Sequence, residues 1–302
     1  MNKILLLGAN GQVGWELQRA LSPLARLVVC DRARADLSNS ASLERLLDKE
    51  HPDFIVNAGA YTAVDKAEHD EDNARRVNCE AVSTLAGWAF RNRAWLVHYS
   101  TDYVFDGSGD QPFDEDAPTG PLGVYGQTKL EGELAIRSSG CQHLIFRTSW
   151  VYASRGANFA KTMLRLAKER DQLRVIADQV GSPTSAELIA DITALVLSRL
   201  SVDPKLRERA AGTYHLVASG ETSWYRYAQF TIAEAIRQGC ELRATPECVT
   251  PITTAEYPLP ARRPANSRLA NEKLQRTFRL ELPDWEYHVS RMVRELVGQG
   301  AL

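Results

Sequence analysis

Tyr125-Gly126-Gln127-Thr128-Lys129 sets a phenol and an ammonium four residues apart, and on a helix that spacing places them on one face. A free phenol ionises near pH ~10, so bringing it to about 7 takes roughly 4 kcal/mol of differential stabilisation. A lysine about 4 Å away, at an effective dielectric of ~20, supplies on the order of 4 kcal/mol. One ammonium is therefore enough in scale to make Tyr125 a general acid near neutral pH. The spacing alone also arises by chance on solvated helices, so its weight comes from its company. Ser100-Thr101-Asp102-Tyr103-Val104-Phe105 closes an apolar run. Thr101 there offers a hydroxyl to hold a substrate oxygen beside the phenol; the plain alternative is a strand end capped by an Asx turn.

A second constellation lies near the amino terminus. Gly8-Ala9-Asn10-Gly11-Gln12-Val13-Gly14 follows an apolar run and opens an amphipathic one. Glycines at such a junction let backbone N–H groups approach a pyrophosphate, and the helix start adds partial positive charge. Gly14 lets helix and strand pack closely. The spacing is G-x-x-G-x-x-G rather than G-x-G-x-x-G. About twenty residues on, Asp31 is placed to accept from an adenosine ribose, which favours NADH. Arg32 and Arg34 follow at once, and guanidinium groups suit the extra phosphate of NADPH. Both dinucleotides stay open. Asp36 and Leu37 either flank the adenine or form an ordinary turn.

These residues need a frame that brings strand ends together. Ile4–Leu7, Leu27–Cys30, Phe54–Asn57, Trp95–Tyr99 and Leu144–Arg147 are short runs rich in Val, Ile and Leu, as strands covered on both faces are. Between them, Gln12–Leu21, Ser42–Lys49, Glu71–Arg91 and Tyr125–Ser138 carry helical patterns. The alternation predicts an α/β fold with a doubly wound parallel sheet over 1–150, ligands binding at the carboxyl ends of its strands. Helical patterns at Asn158–Arg170, Ala186–Leu200 and Trp224–Arg237 follow. The stretch Thr245 to Pro264 holds five of the thirteen prolines and cannot be a central helix or strand. We expect a smaller, partly helical substrate lobe from about 151–172 and 221–302, with about 173–220 returning to the first domain.

Composition narrows the partners. The 302 residues carry a net charge of -2 with 25% charged and 44% apolar residues, which disfavours nucleic-acid coating, polybasic membrane binding and disorder. Cys30, Cys79, Cys141, Cys240 and Cys248 show neither C-x-x-C pairing nor zinc spacing, as in a reducing compartment. The apolar run after Lys3 stops at Gly8, shorter than a signal-peptide core. A cytoplasmic location is the expectation.

The glycine loop, the strand-end Ser-Thr pair and the Tyr-Lys pair resemble the extended short-chain dehydrogenase/reductase family. GANGQVGWEL, VNAGAYTAVDKAE, HYSTDYVFDG, VYGQTKLEGE, FRTSWVY, NFAKTMLRLA, GSPT and ARRPANSRL, in this order, are similar to its dTDP-4-dehydrorhamnose reductase branch over nearly the whole chain. The resemblance implies NADPH- or NADH-dependent reduction of the 4-keto group of a dTDP-sugar. Gly11, Gln12 and Val13 would cradle the pyrophosphate; Asp31, Asp36 and Leu37 would bound the adenosine. Ala60, Tyr61 and Thr62 would line the nicotinamide side. Tyr125 would be the acid, Lys129 would hold the ribose and tune Tyr125, and Thr101 would bind the reacting oxygen. Val64, Asp102 and Trp150 would meet the sugar, and Arg262, with Asn266 and Ser267, the sugar-nucleotide phosphates.

The resemblance further implies a homodimer and Mg2+, with Glu16, Glu187 and Glu295 as the acidic candidates. Two other readings belong beside it. Another extended short-chain nucleotide-sugar epimerase or dehydratase is one; related 4,6-dehydratases typically carry a glutamate where Tyr103 stands, so the base for carbon 5 is missing here. A non-catalytic dinucleotide-binding regulatory subunit is disfavoured by the retention of both Tyr125 and Lys129.

Overall fold

Each apolar run in the first half is followed by a helix long enough to carry the chain back across the sheet, so parallel pairing is the available solution. A computed structural model describes residues 2–300. Its first half runs β1 (Lys3–Leu7), α1 (Gln12–Leu21), β2 (Arg26–Cys30), α2 (Ser40–Glu50), β3 (Phe54–Asn57), α3 (Val64–Ala67), α4 (Glu71–Arg75), a π-helical turn (Arg76–Glu80), α5 (Ala81–Asn92), β4 (Trp95–Thr101), α6 (Val124–Ser139) and β5 (Gln142–Thr148). Then come β6 (Val151–Tyr152), α7 (Phe159–Glu169), β7 (Leu173–Ile176), β8 (Val180–Gly181), β9 (Thr184–Ser185), α8 (Ala186–Val202), α9 (Pro204–Arg209), β10 (Gly212–His215), β11 (Thr222–Ser223), α10 (Trp224–Arg237), β12 (Val249–Ile252), β13 (Asn266–Ser267), α11 (Glu272–Phe278) and α12 (Trp285–Gly298).

Six strands form the main sheet in the order β10-β5-β4-β3-β1-β2, all pairs parallel. One face packs Ile4, Val56 and Val97 against Leu17, Leu21, Ile189 and Val196 of α1 and α8. The other packs Leu5, Ile55 and Leu96 against Leu43, Leu85 and Ile136 of α2, α5 and α6. The chain turns one way from β1 to β2 and the other way to β3, which opens a crevice above their carboxyl ends. Gly8 ends β1 at φ 78, and a Cβ there would lie 2.4 Å from Gly59 N. The loops after β1 and β3 therefore touch at the switch point.

Two elements depart from the sequence expectation. The single helix predicted over Glu71–Arg91 is interrupted by the π turn at Arg76–Glu80, and β4 reaches Thr101. The proline-rich stretch supplies only two 3-10 turns and β12, which pairs with β7 in a sheet of two strands. Small sheets β11-β8-β13 and β6-β9 bind the second half to the strand ends. Among the described residues no helix is long and apolar enough to cross a membrane, and the five cysteines are free.

Candidate active site

A cleft of about 750 Å³ runs along the carboxyl edge of the sheet. Gly8, Gly11, Gln12, Val13, Asp36, Leu37, Ala60, Tyr61, Thr62, Val64, Thr101, Asp102, Tyr125, Lys129 and Trp150 all line it. Fifteen of the residues singled out from sequence thus meet in one space. Asp31, Gly14 and Arg262 lie outside it.

At one end the backbone forms an anion cradle. Helix α1 opens at Gly11 with no side-chain cap, leaving first-turn N–H groups for a ligand. Gly14 is placed behind: a Cβ there would sit 2.1 Å from Gly8 O, so helix and loop pack as closely as the sequence suggested. Asp31 is already occupied, accepting from Arg34 N at 3.1 Å and from Asn10 Nδ2 at 3.5 Å. Arg34 is turned to Glu50 at 2.9 Å. Arg32 is the basic residue that lines the cleft. The donors fit a dinucleotide pyrophosphate, with a guanidinium at the adenosine end.

At the other end, β4 stops at Thr101, whose hydroxyl accepts from Tyr103 N at 3.2 Å and donates to Asp102 at 3.0 Å. Tyr103 meets the Tyr125 ring edge-on, centroids 5.4 Å apart. Burial pushes the Tyr125 hydroxyl up to about 12, against the pull of Thr101. Burial likewise pushes Asp102 up to about 6, opposed by Ser267 and Thr101. The lowering of Tyr125 by Lys129 expected from their spacing is not what this geometry produces. Lys129 Nζ is turned under β4, donating to the Tyr99 carbonyl at 2.6 Å and lying 3.2 Å from His98 Nε2. A buried amine takes the nearest acceptors, and burial lowers it to about 8.

Several positioning groups carried no sequence signal. Asn78, on the π turn, accepts from Tyr61 N at 2.9 Å and donates to Tyr61 O at 3.1 Å and Thr128 Oγ1 at 3.2 Å. It ties the Ala60–Thr62 loop to α6 beside Tyr125, and a π segment at such a place is a common functional feature. Glu133 and Arg147 form a buried bidentate pair at 2.7 and 2.9 Å. Trp150 holds φ 48, strained for a bulky residue. Its ring stacks on Trp224 at 3.5 Å, with Gly181 close against it. Arg262 is exposed and away from the cleft. Its neighbour Arg263 is clamped to Asp65 at 2.8 and 2.9 Å. Asn266 is spent on the Ser108 and Gln111 carbonyls, while Ser267 reaches Asp102.

The acidic trio is brought together by the fold. Burial raises Glu16, and the nearby Glu187 and Glu295 raise it further, so the fold gathers the three from far apart in sequence. Each already has a partner: Glu187 holds Arg291 at 2.8 Å, Glu16 meets Arg19 at 3.5 Å and Glu295 accepts from Ser154 at 3.1 Å. Among the described residues no group of three or more His, Cys, Asp or Glu is placed to hold a metal. The donor set of one chain does not fit Mg2+.

A doubly wound sheet with a glycine cradle at its switch point, and a buried Tyr-Lys pair beside a strand-end Thr, defines the class of short-chain dehydrogenase/reductase folds. Residues 1–297 match the family model described as RmlD substrate binding domain. The chain is 52% identical to the dTDP-4-dehydrorhamnose reductases of Shigella flexneri and Escherichia coli (strain K12), over 99% of each chain. The solved dTDP-4-dehydrorhamnose reductase from Bacillus anthracis str. Ames, in complex with NADP, is 32% identical. It covers 98% of this chain and 99% of its own, with a TM-score of 0.87. The chain belongs to the dTDP-4-dehydrorhamnose reductase family.

Proposed function

We propose that the chain is an oxidoreductase that reduces the 4-keto group of dTDP-4-dehydro-L-rhamnose to give dTDP-L-rhamnose, with NADPH as the preferred reductant. The single observation that carries this is the cleft itself: an anion cradle at one end and the Thr101–Tyr125 hydroxyl pair at the other. When bound, the dinucleotide supplies the hydride for the carbonyl carbon. Gly11, Gln12 and Val13 hold its pyrophosphate, Arg32 its adenosine phosphate, and Lys129 its nicotinamide ribose. Thr101 hydrogen-bonds the reacting oxygen and Tyr125 delivers the proton as negative charge develops there. Trp150, with one face on Trp224, keeps its other face and edge for the sugar; Asp102 and Val64 border the same space. Of the segment after Ala261, Ser267 borders Asp102, and Arg262 is kept as a contact for the sugar-nucleotide phosphates.

The same reading takes in a cytoplasmic homodimer that supplies a rhamnosyl donor for cell-surface polysaccharide; no step is assigned to Mg2+. The test is NADPH oxidation with dTDP-4-dehydro-L-rhamnose, the UDP analogue alongside. Stoichiometric oxidation with release of dTDP-L-rhamnose is expected. No oxidation with either sugar nucleotide would sink the assignment.

A further inference from the structure

Trp150 lies between β5 and β6 at φ 48 and lines the cleft. A bulky residue keeps that backbone only where its surroundings hold it, and two of the groups that do so stand behind the ring. Gly181 on β8 leaves the room the indole fills: a Cβ there would stand 2.8 Å from Cε2 and 3.1 Å from Cζ2 of Trp150. The Trp224 ring lies nearly parallel to that of Trp150, with 13° between the planes and 3.5 Å between the centroids. Trp224 is itself fixed from several sides. It is the first residue of α10, and its cap Ser223 pairs with Val180 of β8. Phe159 of α7 packs on it at 4.5 Å. Its only polar atom, the indole N–H, donates to Gln179 Oε1 at 3.1 Å, while Gln179 Nε2 donates to Thr254 Oγ1 at 3.0 Å. Thr254 in turn donates to Asp178 through its N–H and its hydroxyl, at 2.9 and 2.7 Å. Gln179 is buried, so this lock sets the rotation of the Trp224 ring, and the stack passes it to Trp150.

We propose that Trp224 is a positioning residue for the sugar nucleotide: locked by Gln179, it presets the Trp150 ring at the cleft wall, so that the hexose meets an apolar face already in place. The identity of that ligand rests on the reductase reading above; the preset ring does not. Trp150 lines the cleft and Trp224 does not, so what Trp224 does for a ligand passes through Trp150. An indole left free to turn would have to be ordered by the ligand itself, and ordering one such side chain weakens binding by about 2- to 13-fold. Trp224 and Gln179 prepay that ordering on folding. The dinucleotide end of the cleft, at Gly11, Gln12 and Val13, shares none of these contacts, so the effect falls on one substrate only.

The stack is read first, on the intact ligand-free protein labelled with 15N-tryptophan. The Trp150 indole signal, assigned by its loss in Trp150→Phe, should move in Trp224→Leu by more than those of Trp88 and Trp95, because the ring current over it is gone; an unmoved signal would overturn the proposal. Initial rates follow. Trp224→Leu should raise the KM for dTDP-4-dehydro-L-rhamnose by about 2- to 13-fold and leave the KM for NADPH as it is. No rise, or a matched rise for both substrates, would make Trp224 a structural residue only. In a Trp150→Ala background the same substitution should add nothing; a further loss there would give Trp224 a role of its own and overturn the positioning. Should Trp224→Leu not fold, Gln179→Leu, which removes the lock and leaves both rings, takes its place in every arm with the same outcomes. A moved Trp150 signal in a protein whose wild type oxidises no NADPH would leave the preset ring standing and remove the reductase reading.

Discussion

Arg32→Ala tests how the cleft chooses between dinucleotides. Arg32 lines the cleft with Asp36 and Leu37. Arg34, two residues on, is held by Glu50 at 2.9 Å and by the Val29 carbonyl at 3.2 Å. The Asp31 carboxylate, which would otherwise serve a ribose hydroxyl, accepts the Arg34 N–H. A phosphate on the adenosine ribose therefore meets one guanidinium rather than two. A hydrogen bond to a charged group contributes about 1.5–3 kcal/mol, so its loss should raise the KM for NADPH roughly 10- to 150-fold. NADH, lacking that phosphate, should change little. Initial rates with both reductants for wild type, Arg32→Ala and Arg34→Ala give the ratio directly. Repeating them at ~1 M salt should shrink the wild-type preference, because the Debye length falls to about 3 Å. Equal losses with both reductants in Arg32→Ala, or a larger change of ratio in Arg34→Ala, would refute the reasoning.

Tyr125→Phe should lower turnover by about 10²- to 10⁴-fold with cofactor affinity by fluorescence titration near wild type; a matched loss of affinity would make Tyr125 a binding residue only. Glu133→Ala leaves Arg147 buried and unpaired and should cost about 3–5 kcal/mol in urea unfolding, whereas Glu133→Leu with Arg147→Met should come close to wild type. Lys129 is depressed from 10.5 to about 8 in the fold, so the unfolded chain binds the extra proton between those values and stability rises with pH there. The stability of wild type minus that of Lys129→Met should therefore increase by about 2–3 kcal/mol from pH ~7 to ~10.5, and a difference that stays flat would count against a buried amine.

The frame was readable because its physics is local. Runs such as Phe54–Asn57 are too short and too apolar to be anything but covered strands, and Gly8 and Gly14 occur where only a hydrogen side chain clears the facing backbone. The Tyr-Lys spacing placed both residues in the cleft, but spacing says nothing about where a lysine tip goes among competing acceptors, and it goes to Tyr99 O. Arg262 and Arg263 are indistinguishable in sequence; the fold separates them through Asp65, which lies on α3 nearly two hundred positions earlier. Asn78 and His98 were illegible for the same reason. A buried polar residue announces itself only through its partner, and these partners come from other strands and helices.

The raised Tyr125 changes what the site must do rather than whether it works. The sequence argument asked for a phenol lowered to about 7 to serve as the acid, although such a lowering better suits a base that draws a proton from an alcohol. Reduction runs the other way. The oxygen that receives hydride at its carbon becomes an alkoxide, a far stronger base than a phenolate, and the group beside it must hold a proton to give. A hydroxyl pushed up to about 12 by burial is protonated throughout the neutral range, so no fraction of the enzyme waits in the wrong state. Thr101 adds a second donor to the same oxygen once its hydroxyl turns from Asp102. Acidification becomes useful only after transfer, when the phenolate left behind needs a nearby cation; Lys129, lowered to about 8 and so still mostly an ammonium at neutral pH, is that cation one turn away.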